Sequence, residues 1–197
     1  MKIVLASRNP HKTREFAELL GPEFEISDLT AARGIGQVAE TGATFEENAI
    51  VKAETVSQFL PDKLVLADDS GLEVDALGGA PGVRSARYAG GHATDAENID
   101  KLLRKLRETR GPRRSARFRC VIALCRDGRL LHTAGGEVCG SIAEEPRGTN
   151  GFGYDPIFVP HGLDKTFAEL PADFKNKISH RAIAAGDLRS FLALQLR

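Results

Sequence analysis

Long hydrophobic runs are missing from this sequence. No apolar stretch approaches the roughly 20 residues that a membrane-spanning helix requires. The opening MKIVLASRNP has too short an apolar run for a secretory signal, and no small-residue cleavage site follows it. A cytoplasmic protein with no membrane partner is therefore expected. Cysteine is scarce: Cys120, Cys125 and Cys139 are odd in number and lack C-x-x-C spacing, which argues against a disulfide framework or a zinc site. They are expected as reduced, ordinary core residues. Neither sign of charge is in excess, with 27 Lys and Arg against 27 Asp and Glu. No global field draws in nucleic acid, although local patches remain open. Nothing matches G-x-x-x-x-G-K-[ST], and Gly34-Ile35-Gly36 is only a fragment of the dinucleotide fingerprint behind no convincing strand. The five histidines show no metal-ligand spacing. Repeats and low-complexity segments are absent too, so residues 1–197 are read as a single domain.

What is present centres on LADDSGLEVDALGGAPGVRSARYAG, residues 66–90. An apolar run, Leu64 to Ala67, reads as the end of a buried strand. Asp68 and Asp69 follow side by side, then Ser70, Gly71, Glu73 and Asp75. Adjacent carboxylates repel, and removing them from water is costly unless a cation joins them. Mg²⁺ uses one or two carboxylates together with substrate phosphates. A solvated acidic turn is the plain alternative. The glycines and Pro81 that follow, with Arg84, Arg87 and Tyr88, favour a site, because such a loop lets backbone approach a ligand beside cations.

Along the chain, Lys2 to Ala6 reads as a strand and HKTREFAELL as a helix, stopped by Gly21-Pro22. Lys12 falls in that helix's first turn, where the macrodipole disfavours a cation, so it makes sense beside an anion. Phe24 to Leu29 is a second strand. Thr44 and Glu47 form a capping box for a helix to Leu60, and Asn48 and Lys52 share one of its faces. Thr94 and Glu97 cap a second helix to Thr109. The arginines from Arg110 to Arg119 suggest either a nucleic-acid patch or a polar loop entering a strand. The loop reading is favoured, because stacking aromatics are not interleaved. Ala116 to Arg126 and Arg129 to Cys139 read as a hairpin across Asp127-Gly128. Gly135-Gly136 suggests a bulge or a close backbone contact. PRGTNGFGYDPIFVP reads as a shaped loop that leads into a strand from Ile157 to Val159. A short helical turn holds Lys175, and Ser179 caps a final helix with His180 and Arg181 in its first turn.

SRNPHKTREF, ETGATFEENAIVKA, ADDSGLEVDALGGAPGVRSARYAG, GTNGFGYDPIF and KISHRA, in this order, closely resemble the inosine/xanthosine triphosphate pyrophosphatase family. The resemblance implies an α/β fold: an elongated mixed central β-sheet flanked by helices, in two lobes with a deep active-site cleft. It implies a homodimer and Mg²⁺-dependent hydrolysis of ITP, dITP and XTP to the monophosphate and pyrophosphate. By the same resemblance, Ser7, Arg8, Asn9, Pro10, His11 and Lys12 form the first phosphate loop, and Asn48 and Lys52 a second contact. Glu40, Asp68 and Asp69 are the metal carboxylates, with Asp69 also the general base. Ser70 touches substrate, while Phe152, Gly153, Tyr154, Asp155, Lys175, His180 and Arg181 read the base. Arg8 stands where many relatives carry a small residue. The rival readings are a pyrophosphatase of related fold with another base preference, and a non-catalytic nucleotide- or RNA-binding module.

Overall fold

The computed structural model describes residues 1–30, 32, 34–109 and 114–195. Its elements, in chain order, are β1 (Lys2–Leu5), α1 (Pro10–Leu20), β2 (Glu25–Asp28), α2 (Phe45–Phe59), β3 (Leu64–Val74) and α3 (Asp95–Glu108). There follow β4 (Ser115–Arg126), β5 (Arg129–Ile142), β6 (Phe158–Pro160), α4 (Ala172–Ile178) and α5 (His180–Gln195), with short 3-10 turns between some of them. The six strands form one sheet in the order β2-β1-β3-β4-β5-β6. β1 runs parallel to β2 and β3, whereas β5 and β6 are antiparallel, so the sheet is mixed as expected. Among the described residues no helix is long and apolar enough to cross a membrane.

Local chemistry accounts for several element ends. Asn9 caps α1, its Oδ1 accepting from His11 N–H, and Pro10 takes the first helical position, where its missing N–H costs nothing. Both expected capping boxes form, Thr44 with Glu47 on α2 and Thr94 with Glu97 on α3. Asp127 and Gly128 make the two-residue turn from β4 to β5 with φ of +52° and +74°, the doubly positive pair that matches strand twist. β5 runs on through Gly135 and Gly136 to Ile142. A Cβ on Gly135 would meet nothing within 4 Å.

The chain clusters into two compact units. The first comprises Met1–Asp69, Cys120–Gly136 and Arg181–Arg197, and the second Ser70–Arg119 and Glu137–His180. In the first, Ile3 and Leu5 of β1, Phe16 and Leu20 of α1, and Leu188 and Leu192 of α5 pack with Ile122 and Leu124 of β4. In the second, Leu72 and Val74 pack with Leu102 and Leu106 of α3 and with Phe118, Phe158 and Phe167.

The strand does not end at Ala67: β3 continues through Asp68, Asp69 and Ser70 to Val74, with Leu72 and Val74 fully buried. Acidic residues disfavour strands. Here the carboxylates are compensated by cations from other elements, and the apolar residues beyond them anchor the strand.

Three arginines of the run are likewise absorbed into structure. Arg110 and Arg113 lie outside the described residues. Arg114 donates to the Ile142 and Ala143 carbonyls, Arg117 pairs with Glu73, and Arg119 meets Glu73 and Glu137.

Cys120 and Cys125 are buried and Cys139 is exposed. Burial pushes both inner thiols up to about 12, so at pH 8 almost no thiolate is present at either. In a thiol titration at pH 8, Cys139 alone is expected to react in the folded protein, and all three cysteines after denaturation. Rapid labelling of a second native thiol would contradict this packing.

Candidate active site

Lys12 extends from the first turn of α1 and donates to both oxygens of Asp68 at 2.9 Å. The anion that its position demanded is this carboxylate. Arg181, in the first turn of α5, also reaches Asp68, with its Nη2 3.4 Å from Oδ2, while its Nη1 donates to Glu15 Oε2 at 2.5 Å. The guanidinium carbon lies 5.8 Å from the Phe16 ring centroid. Arg181 is 1% exposed, so its ion pairs with Asp68 and Glu15 are buried. The cations around Asp68 outweigh its burial and hold its carboxyl well below the ordinary range.

Asp69, the next residue, faces α2. Asn48 Nδ2 donates to Asp69 Oδ2 at 2.9 Å, and Asn48 Oδ1 accepts from Gly42 N–H at 2.8 Å. Lys52, one turn further on, sits 2.8 Å from Glu40 Oε1 and 3.6 Å from Asp69 Oδ1, and donates to the Asp68 carbonyl at 2.6 Å. The capping box sets where α2 begins, so Asn48 and Lys52 address the same stretch of β3. Burial raises the Asp69 carboxyl above its usual value, outweighing Lys52 and Asn48. Two neighbouring carboxylates are thus driven in opposite directions, one held ionised and the other made more basic.

Ser7, Arg8, Lys12, Glu40, Lys52 and Asp68 line one cavity of about 360 Å³. Asn9 supports its loop as the cap of α1, and the Arg8 guanidinium donates to Ile35 O. Pro10 and His11 are exposed at the start of α1. Among the described residues, no three His, Cys, Asp or Glu side chains are grouped to hold a metal ion unaided. Glu40 and Asp69 do converge on a single cation, the Lys52 ammonium, and their hard oxygens suit Mg²⁺ that also takes phosphate oxygens from a substrate. Asp68 instead has its oxygens engaged by Lys12 and Arg181.

The second unit gathers most of the residues assigned to base reading. Lys175 Nζ lies 2.6 Å from Asp155 Oδ2, which also accepts from Phe152 N–H at 2.9 Å. The same ammonium sits 5.1 Å from the Phe152 ring centroid. His180 is buried with its ring stacked on Phe118, centroids 4.8 Å apart. Tyr154 is buried, its hydroxyl donating to Ser85 O at 2.9 Å, so its place is a packing corner of the core. Gly153 forms part of the turn beside Phe152, and Ser70 opens the second half of β3. Arg181, which the resemblance grouped with these residues, lies in the first unit on Glu15 and Asp68.

The Ham1 family model matches residues 3–191. The chain belongs to the Ham1 family. A Bacillus licheniformis protein named dITP/XTP pyrophosphatase is 50% identical over 192 residues, covering 97% of each chain. The solved Staphylococcus aureus Ham1 protein superposes with a TM-score of 0.87 at 45% identity, covering 99% of this chain and 100% of that one. A Coxiella burnetii HAM1 structure gives 0.88 at 47% identity and 98% coverage of both.

In this Ham1-family chain, Glu15 escaped sequence reading. It lies 166 residues from Arg181, and no local motif marks it. The available signal was a carboxylate next to Phe16 on a short amphipathic helix, where a buried charge requires a partner. The shared face of Asn48 and Lys52 was easier to foresee, since helical spacing alone places them together.

Proposed function

We propose that this protein hydrolyses dITP, XTP and ITP to the nucleoside monophosphate and pyrophosphate, with Mg²⁺ as cofactor. It is an enzyme of the nucleoside triphosphate pyrophosphatase class, as its curated relatives are. The observation that carries the reading is the arrangement of Asp68 and Asp69: Lys12 engages both oxygens of Asp68, while Asp69 lies beside Asn48 and Lys52, where burial raises its carboxyl above the usual value.

In this reading Glu40 and Asp69 are the carboxylates that hold Mg²⁺. When bound, the ion offsets phosphate charge and makes water easier to deprotonate. A water oxygen attacks the α-phosphorus, its proton passes to Asp69, and the bond to the bridging oxygen of the β-phosphate breaks. Lys12 and Lys52 stabilise the charge gathering on pyrophosphate. Asp68 is assigned to holding Lys12 in place, and Arg181 to holding Asp68. Asn48 orients the Asp69 carboxylate through its amide. Phe152, Lys175 and His180 are assigned to the base: donors placed for a 6-keto oxygen would meet the amino group of adenine unfavourably.

The test is product analysis with ITP and ATP side by side in Mg²⁺. Pyrophosphate from ITP, with far slower release from ATP, is the expected result. Stepwise orthophosphate would mean that a different bond is cut, and binding without product would leave a nucleotide-binding module.

A further inference from the structure

The turn that carries Phe152 is restrained from outside itself. Gly151 and Gly153 have φ of +76° and +61°, a region that side chains disfavour. A Cβ on Gly151 would lie 2.0 Å from Asp155 Oδ2, so the chain folds tightly back on that carboxylate. The other side of the turn borders a cavity of about 580 Å³ lined by Asp95, Ile99 and Leu103 of α3 and by Gly151, Phe152 and Gly153. Close apolar packing does not fill that space. A charge-assisted hydrogen bond reaches from α3 to the turn: Gly153 N–H donates to Asp95 Oδ2 at 2.6 Å, between residues 58 apart in sequence. Asp95 is the first residue of α3, whose start is fixed by its capping box and whose inner face is buried through Ile99, Leu102 and Leu106. The acceptor is therefore mounted on a firm support.

We propose that Asp95 is a positioning residue for base recognition, holding the Gly151–Tyr154 turn and through it the Phe152 ring. This rests on Phe152 being the stacking residue of the proposed nucleotide site. Asp155 and Lys175 fix the turn from one side, and Asp95 fixes it from the other. A nucleotide stacking on a pre-set ring loses less freedom than one that must order the ring as it binds.

The sequence has no tryptophan, so a Phe152→Trp chain carries a single indole reporter at the turn. In that background, without ligand, Asp95→Ala is expected to lower the indole anisotropy, and Asp95→Asn to preserve it, because an amide oxygen can accept the same bond. In the Phe152 protein, Asp95→Ala should raise KM for ITP about fivefold with kcat nearly unchanged, the size expected for losing one such hydrogen bond. Inhibition by tripolyphosphate, which has no base, should not change, and Asp95→Asn should restore KM. Unchanged anisotropy in Asp95→Ala overturns the clamp. Lowered anisotropy with unchanged KM overturns its link to the base. A parent protein that releases no pyrophosphate from ITP would defeat the functional reading instead, and the ligand-free anisotropy would still decide the clamp.

Discussion

Asp69→Asn is expected to lower kcat for pyrophosphate release from ITP by about 10²- to 10⁴-fold, the range for loss of a positioned general base. The substitution keeps the shape of the side chain and an oxygen that can accept from Asn48, whose donated bond is 2.9 Å long in the parent. It removes the group that takes the proton from water, and one of the two carboxylates that converge on Lys52. Because burial already disfavours charge at this position, the neutral amide should leave the melting temperature close to that of the parent. The measurement is single-turnover product formation together with thermal unfolding. Full turnover in a folded variant would show that another group accepts the proton.

The largest effect on stability is expected at Arg181. Its guanidinium is buried between Glu15 and Asp68, so Arg181→Leu leaves two buried carboxylates short of a partner. Breaking such a cluster from one side costs about 3–5 kcal/mol. In a chain of this size that corresponds to roughly 10 °C in Tm. Asp68 keeps Lys12, so Glu15 should account for much of the loss. Glu15→Leu combined with Arg181→Leu should then be more stable than Arg181→Leu alone, since apolar residues can replace a buried ion pair at little cost. Calorimetry of the two single variants and the double variant reads this directly. An Arg181→Leu protein that melts with the parent would mean that the guanidinium does not hold the cluster.

These expectations separate what can be read from the chain from what cannot. The capping boxes at Thr44 and Thr94, the Asp127-Gly128 turn and the shared face of Asn48 and Lys52 are all written within four residues of sequence. Backbone geometry links such neighbours wherever the segment is placed, so the elements themselves were legible. So was the need for an anion near Lys12, because a helix start opposes a cation. The identity of that anion was not legible, since Asp68 lies 56 residues away.

The extent of β3 shows the same divide. Read locally, two aspartates and a serine should end a strand. In the structure they lie inside one, because Lys12, Lys52 and Arg181 arrive from three separate helices to place cations beside the two carboxylates.

Sequence by itself determined the helices, the main turns, the family blocks and the residue types that a phosphate and metal chemistry would use. Tertiary structure alone decided which carboxylate is held ionised by cations and which is made more basic. It also decided that Arg181 serves Glu15 and Asp68, and that Asp95 reaches the Phe152 turn. The physical reason is that desolvation and Coulomb interactions depend on distance in space, and folding brings together groups that chain order keeps far apart.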